Sequence, residues 1–214
     1  MVDAQILCAN PVVAVYDGVF DSAEAAHIIA QAPADMQQAP VQTLAETTLS
    51  ETRTNTQARL DQWSDPVMTE ICQRVSALVR LPPENCEPAK LLHYEGDQKF
   101  DLHHDAFSSI APNGLLEMAN GGQRLFTTLL YLNDVEAGGE TEFPLLKVSV
   151  RPRLGRVLLF ANTEPGTTDR HAHAQHAGRP ITSGEKWVLS LWWRERLFHV
   201  PRSYPPKDGE MRHV

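Results

Sequence analysis

The chain has 214 residues, of which 42% are hydrophobic and 21% charged, a composition typical of a globular protein with its own core. Its 27 acidic and 19 basic residues give a formal net charge of −8, which argues against a nucleic-acid partner because phosphate backbones are also negative. No apolar run approaches the ~18 residues of a membrane span, no signal-peptide pattern is present, and three scattered cysteines lack a CxxC spacing, so we expect a cytoplasmic protein without a membrane partner.

Residues 1–88 are expected to form a mixed strand and helix region that supports the rest of a single domain. The β-branched run at residues 11–20 predicts a short buried strand followed by a turn. Asp21 and Glu24 then have the spacing of a capping box at the start of a short helix. A second helix is predicted to begin at Ser64 as its N-cap, because apolar residues recur at helical spacing after it.

Residues 89–196 have a different character, with short strand-like runs separated by glycine- and proline-rich turns. The runs are residues 91–94, 99–103, 125–132, 148–150, 156–160, 172–174 and 186–192. Seven or so short strands at regular spacing predict a sandwich or jelly roll. We therefore predict a mainly β fold with supporting α-helices (α+β), the helices packing outside one sheet, and a polar tail at residues 197–214.

One strand-like segment carries candidate metal ligands. His103 and Asp105 are two residues apart, and side chains at that spacing in a strand project to the same face. A third ligand is available downstream, where His171, His173 and His176 lie close together. Two imidazoles and one carboxylate on one face of a metal suit non-haem Fe(II) and leave positions open for other ligands.

The turn at residues 179–184 favours His176 as the third ligand. An antiparallel hairpin around this turn would place His176 opposite Lys186, with both side chains on the same face. An ammonium beside a metal-bound imidazole is suited to a chelating dicarboxylate, with one end on the metal and the other on the lysine. His171 and His173 remain alternatives if the strand register differs.

Several spaced motifs carry a resemblance to a known family. Besides His103-x-Asp105, they are residues 129–144, residues 148–155, residues 176–187 and, more loosely, Arg53-Thr-Asn-Thr. In this order they resemble the prolyl 4-hydroxylase branch of the Fe(II)- and 2-oxoglutarate-dependent dioxygenases. The clear resemblance covers residues 89–196 and a weaker one extends to near residue 12.

This resemblance implies a double-stranded β-helix (jelly-roll) core over residues 89–196. It also implies Fe(II), 2-oxoglutarate and O2 as cofactors and cosubstrates, with ascorbate as a reductant. By the resemblance, His103, Asp105 and His176 would hold the iron, and Lys186 would pair with the far carboxylate of 2-oxoglutarate.

The resemblance assigns four further positions. Tyr94 and Thr141 would contact the cosubstrate, while Arg124 and Trp192 would lie near the substrate. One residue departs from the family pattern, because position 100 is often tyrosine and is Phe100 here. A hydroxyl that could meet the substrate is therefore missing.

Four functions are compatible with these residues. The leading one is hydroxylation of a proline in a peptide or protein. The second is hydroxylation of a free amino acid or another small molecule, which Phe100 favours. A nucleic-acid demethylase is disfavoured by the net charge and by a lysine, rather than an arginine, for the cosubstrate carboxylate. A non-catalytic binding module on the same fold is the fourth.

Overall fold

The computed structural model describes residues 3–42 and 47–199. The helices are α1 (Ser22–Ile29), α2 (Pro66–Val79) and α3 (Pro112–Ala119). In chain order the strands are β1 (Asp3–Ala9), β2 (Val12–Asp17), β3 (Gln37–Gln38), β4 (Val41–Gln42), β5 (Thr47–Thr48), β6 (Thr56–Arg59), β7 (Lys90–Glu95), β8 (Phe100–His103), β9 (Arg124–Tyr131), β10 (Ala137–Gly138), β11 (Thr141–Phe143), β12 (Val148–Val150), β13 (Arg156–Ala161), β14 (His176–Gly178), β15 (Ile181–Ser183) and β16 (Glu185–Arg194). Among the described residues, no helix is long and apolar enough to cross a bilayer.

Two antiparallel sheets enclose the interior of the protein. The larger has eight strands in the order β1-β2-β13-β9-β16-β7-β6-β3, and the smaller has four in the order β12-β11-β14-β8. Buried residues of both sheets, such as Tyr131 and Phe143, belong to one interior cluster. The predicted mainly β fold with a jelly-roll core is confirmed.

Two central strands of the larger sheet, β13 and β16, are buried on both faces, which explains why they are almost continuously apolar. Along β16, Leu189, Leu191 and Trp193 point outward and pack with buried residues of α1 and α2, such as Ile28 and Ile71. The alternate residues point into the interior. The helices α1 and α2 therefore cover the outside of one sheet, as predicted, and leave its inner face for the site.

The two predicted helix starts have different outcomes. The capping box is present, since the Asp21 carboxylate accepts the Glu24 N–H at 2.9 Å and the Glu24 carboxylate accepts the Asp21 N–H at 2.9 Å. The prediction of Ser64 as the second N-cap is wrong by one residue. Asp65 caps α2 by accepting the Met68 N–H at 2.8 Å, and the Ser64 hydroxyl donates to Asp61 instead. The cap at Asp65 places proline at the first helical position, where no N–H is required.

One predicted strand is wrong. Residues 172–174 form a turn of 3-10 helix, in which the ring nitrogen Nδ1 of His171 accepts the His173 N–H at 3.1 Å. This local side-chain bond competes with strand pairing. The sequence also gave no prediction of α3 or β11. Residues 200–214 of the predicted tail lie outside the described residues.

Candidate metal centre

Three side chains with metal-binding atoms meet between the two sheets. His103 ends β8 and His176 begins β14, and these neighbouring strands place the two histidines directly opposite each other. Asp105 lies two residues beyond the end of β8. Its carboxylate oxygens are 3.5 Å from His103 Nε2 and 3.7 Å from His176 Nε2. One donor atom from each residue lies within 4.8 Å of the others.

The hydrogen bonds of the two imidazoles leave their inner nitrogens available. His103 Nδ1 donates to the Asp101 carbonyl at 2.7 Å, and His176 Nδ1 donates to the Ala174 carbonyl at 3.0 Å. A carbonyl accepts only, so each Nδ1 carries a proton, and each Nε2 faces the Asp105 carboxylate and is the nitrogen in position to bind a metal. Such second contacts are typical of metal-binding histidines.

The charge states also suit a cation. Burial lowers the pKa of His176 to about 4, with the His103 imidazole acting in the same direction, so His176 is neutral near pH 7. The Asp105 side chain is 8% exposed. Burial opposes its ionisation, but the neighbouring imidazoles and their hydrogen bonding hold the pKa of this carboxyl well below its usual range. Two imidazole nitrogens and one carboxylate fit Fe(II) with open positions.

A buried hydroxyl and amide fix the orientation of the carboxylate. Thr127 Oγ1 donates to Asp105 Oδ2 at 2.7 Å, and Asn162 Nδ2 donates to Thr127 Oγ1 at 2.9 Å. Thr127 and Asn162 are 0% and 1% exposed. Because water does not reach this chain of hydrogen bonds, the carboxylate has a defined rotamer before any ligand arrives.

Lys186 and Tyr94 lie in the same inner cavity as the three candidate ligands. They are direct partners across β16 and β7, and the Lys186 ammonium lies 4.4 Å from the centre of the Tyr94 ring. Lys186 is 2% exposed, and its Nζ donates to the Gly139 carbonyl at 2.8 Å. Burial lowers the pKa of Lys186 to about 7. A buried ammonium of this kind gains free energy when an anion enters the cavity.

Hydroxyl groups complete this cavity. Thr141 lines it and accepts a hydrogen bond from the Tyr131 hydroxyl at 2.8 Å. Burial raises the pKa of Tyr94 to about 12, so its phenol stays protonated and is able to donate. The cavity thus offers an ammonium and hydroxyls beside the metal-binding atoms.

The predicted hairpin between His176 and Lys186 is wrong. β14 lies in the smaller sheet beside β8, whereas Lys186 lies in the larger sheet beside Tyr94. The chain between them does not fold back on β14, because residues 181–183 pair with β10 instead. The two side chains nevertheless line one cavity, since the two sheets face each other across the interior.

Arg124 and Trp192 lie at the outer side of the metal centre. Both line a groove of about 680 Å³ that shares His103 and Asp105 with the inner cavity. The Arg124 guanidinium lies 4.1 Å from the centre of the Trp192 ring. It donates two hydrogen bonds, of 2.6 and 2.8 Å, to the buried Glu87 carboxylate, which holds it in one orientation.

The Phe100 side chain is stacked between the His103 ring and the Arg53 guanidinium. Its ring lies 3.4 Å from the His103 ring between centroids, with an interplanar angle of 11°. The Arg53 guanidinium lies 4.4 Å from the centre of the Phe100 ring.

His171, one of the alternative ligands, faces Glu164 at 3.6 Å. Within the described residues, neither His171 nor His173 belongs to the three-residue ligand group.

Sequence reasoning missed three residues of the site. Arg53 lines both the cavity and the groove, although its segment entered only through a loose resemblance. Thr127 had a detectable signal, since it is a polar residue on the inward alternation of an apolar strand, in line with Leu129 and Tyr131. Asn162 follows β13 and has no local pattern that distinguishes it from a loop residue.

Comparisons with known proteins agree with this geometry. The model of the 2OG-Fe(II) oxygenase superfamily matches residues 89–194. A probable prolyl 4-hydroxylase of Arabidopsis thaliana is 33% identical over 94% of this chain and 68% of its own length. A putative prolyl 4-hydroxylase of Acanthamoeba polyphaga mimivirus is 33% identical over 70% of this chain and 63% of its own length. A solved 2OG complex of a collagen prolyl hydroxylase from Paramecium Bursaria Chlorella virus-1 is similar in fold, with a TM-score of 0.65 and 22% identity over 85% of this chain and 95% of that one.

Proposed function

The chain belongs to the prolyl 4-hydroxylase family of 2-oxoglutarate- and Fe(II)-dependent oxygenases, and on that basis we propose that it hydroxylates proline residues in a peptide or protein. It is an enzyme that uses Fe(II), 2-oxoglutarate and O2. The observation that supports the proposal most strongly is the common cavity of the His103, Asp105 and His176 donors and the Lys186 ammonium.

In this proposal His103, Asp105 and His176 hold Fe(II) on one face. Their two imidazole nitrogens and one carboxylate match the ligand preference of that ion. Bound iron with 2-oxoglutarate and O2 supplies the oxidising power that inserts one oxygen atom into a C–H bond, while the other oxygen enters succinate and CO2 leaves. Thr127 keeps the Asp105 carboxylate in its binding rotamer throughout.

Lys186 binds the far carboxylate of 2-oxoglutarate. Its ammonium is buried beside a neutral carbonyl acceptor, so an entering carboxylate is its natural counter-ion. Tyr94 and Thr141 supply hydroxyls in the same cavity and contact the cosubstrate. The enclosing apolar residues, Leu92 and Val188 among them, exclude water and so strengthen the ion pair.

The substrate lies in the outer groove against Arg124 and Trp192. Arg124 is already paired with Glu87, so its role is to hold Trp192 by stacking and the Asp105 backbone carbonyl by a 3.5 Å hydrogen bond. Trp192 is 8% exposed and lines the groove, where its ring would offer an apolar surface to a proline ring.

A free amino acid or another small molecule is the second candidate substrate. Phe100 favours it, because its stacked ring presents no hydroxyl to a peptide. The two candidates are separated by supplying the Fe(II)-loaded enzyme with 2-oxoglutarate and either proline-containing peptides or free amino acids. We expect succinate release with a peptide, together with a mass gain of one oxygen on its proline. Succinate release with free amino acids alone would refute the peptide proposal.

A further inference from the structure

The outer groove has a charge pattern that differs from the whole chain. The chain has a formal net charge of −8. The groove is nevertheless lined by the cations Arg53, Lys90, Arg124 and Arg170 and by the acids Asp101, Asp105 and Glu117. The number of free charges depends on which of these residues already have partners.

The acids of the groove are engaged. Asp101 pairs with the Lys99 ammonium at 2.9 Å. Asp105 belongs to the candidate metal centre. The negative charge of Glu117 acts on Arg124 and Arg194. The acids of this groove therefore leave little negative charge for its remaining cations.

Three of the four cations have no carboxylate within ion-pair distance among the described residues. Arg124 pairs with Glu87, a carboxylate that it shares with Arg194 outside the groove. Within residues 3–42 and 47–199, none of Arg53, Lys90 and Arg170 forms an ion pair within 4.0 Å.

The hydrogen bonds of the two arginines go to neutral acceptors. Arg53 donates to the Asn55 side chain and the Pro40 carbonyl, and Arg170 donates to the Ala106 carbonyl. Arg53 is buried, and a buried cation without an anion is costly, so a ligand carboxylate would offset that cost. Arg170 is exposed and is accessible to a ligand.

The position of Lys90 connects these charges to the metal centre. Across β7 and β16, Tyr94 pairs with Lys186, Leu92 with Val188 and Lys90 with Ser190. Residues 90, 92 and 94 therefore form one inward-facing row. The inner end of this row, Tyr94, lies beside Lys186 in the cavity, and its outer end, Lys90, lies in the groove.

Building on the proposed function, we propose that the groove selects an acidic peptide, in which carboxylate side chains flanking the target proline pair with Lys90, Arg170 and Arg53. The proline ring lies against Trp192, and the flanking acids extend along the groove to either side. The negative surface elsewhere on the protein disfavours other sites for such a peptide, so the cations of the groove determine where it binds.

The test uses three peptides with the same proline-containing centre, flanked by Glu, by Gln or by Lys. Binding to the metal-loaded enzyme is measured by fluorescence anisotropy of the labelled peptides, and turnover by succinate release. Each ion pair between partly exposed groups is worth about 1.5- to 5-fold in affinity, so the Glu peptide should bind several-fold more tightly than the Gln peptide. This ratio should fall as salt is added, because salt screens exposed pairs.

Variants assign the preference to the groove. Lys90→Gln and Arg170→Gln should each lower the Glu-to-Gln affinity ratio by about 1.5- to 5-fold, and Lys90→Arg should restore most of it. Arg153→Gln removes the same charge from an exposed residue outside the groove and should leave the ratio unchanged.

Equal affinity for the Glu and Gln peptides, or a preference for the Lys peptide, would overturn the inference. If both peptides were still hydroxylated, the proposed function would remain supported. Turnover of free amino acids with no peptide of any charge hydroxylated would overturn both.

Discussion

Replacing Lys186 by methionine should separate cosubstrate binding from stability. Methionine has a similar length and is apolar, so it fits the position but removes the charge. Truncating one partner of a buried charged pair costs about 2–5 kcal/mol, so the Kd for 2-oxoglutarate should rise by about 30- to 5,000-fold. Isothermal titration of 2-oxoglutarate into the anaerobic, Fe(II)-loaded protein measures this change.

The stability of the ligand-free protein should not fall with this substitution, in contrast to the affinity for 2-oxoglutarate. Burial lowers the pKa of Lys186 from 10.5 to about 7, which corresponds to at most about 5 kcal/mol that the charged ammonium costs the folded state below pH 7. Because the folded state then binds fewer protons than the unfolded state between pH 7 and pH 10.5, wild-type stability gains from this group as pH rises through that window. Lys186→Met removes the cost, so the metal-free variant should be as stable as wild type or more stable, most clearly below pH 7.

The control is Lys147→Met, which removes the same charge from an exposed residue. It should leave both 2-oxoglutarate binding and the melting temperature close to wild type. An unchanged Kd in Lys186→Met would remove the proposed role of the lysine. A large loss of stability with unchanged binding would make the lysine a structural residue instead.

Three further predictions follow from the same geometry. In wild type the Kd for 2-oxoglutarate should be constant below pH 7 and then rise by up to about tenfold per pH unit. The reason is that the protonated form of Lys186 binds the carboxylate, and its pKa in the free protein is about 7. Titrations at several pH values measure this dependence, and a Kd that does not change up to pH 9 would contradict it. Asp105→Ala should abolish both Fe(II) binding and turnover, measured by equilibrium dialysis and succinate release; hydroxylation at the wild-type rate would show that the ligand assignment is wrong. Thr127→Val should weaken Fe(II) binding about 10- to 100-fold in a chelator competition assay, because the Asp105 carboxylate loses its hydroxyl donor. Thr128→Val, on the opposite face of β9, is the matched control, and equal affinities in the two variants would refute the orienting role of Thr127.

The residues of the site were easier to predict from the sequence than their arrangement. Spacing and alternation placed His103 and Asp105 on one side of a segment, and both do meet at one centre. Asp105 does so from beyond the strand end, where alternation no longer applies. Local periodicity describes side-chain direction within an element and not the path of the chain after it.

Local sequence patterns could not predict which short strands pair with each other. The turn at residues 179–184 was compatible with a hairpin, yet β14 pairs with β8 and β11, and β15 pairs with β10. A strand of three residues forms too few hydrogen bonds to select its partner by itself. The choice depends on contacts distant in sequence, which a single sequence does not display.

The side-chain contacts around the groove could not be predicted from local sequence patterns either. Arg53 reaches Phe100 from a segment that precedes it by almost fifty residues. Asn162 supports Asp105 through Thr127, and the three residues have no regular spacing along the chain. Only the inward polar position of Thr127 in an apolar strand could have indicated one member of this network.

Our main proposal is that this enzyme transfers one oxygen atom of O2 to a peptidyl proline. The most direct test is a reaction under heavy-isotope O2 with Fe(II), 2-oxoglutarate and a proline-containing peptide, followed by mass spectrometry of both products. We expect one heavy oxygen on the proline and one in succinate, in equal amounts, and neither product with Asp105→Ala. Heavy succinate formed without any labelled proline in the peptide panel would contradict the claim.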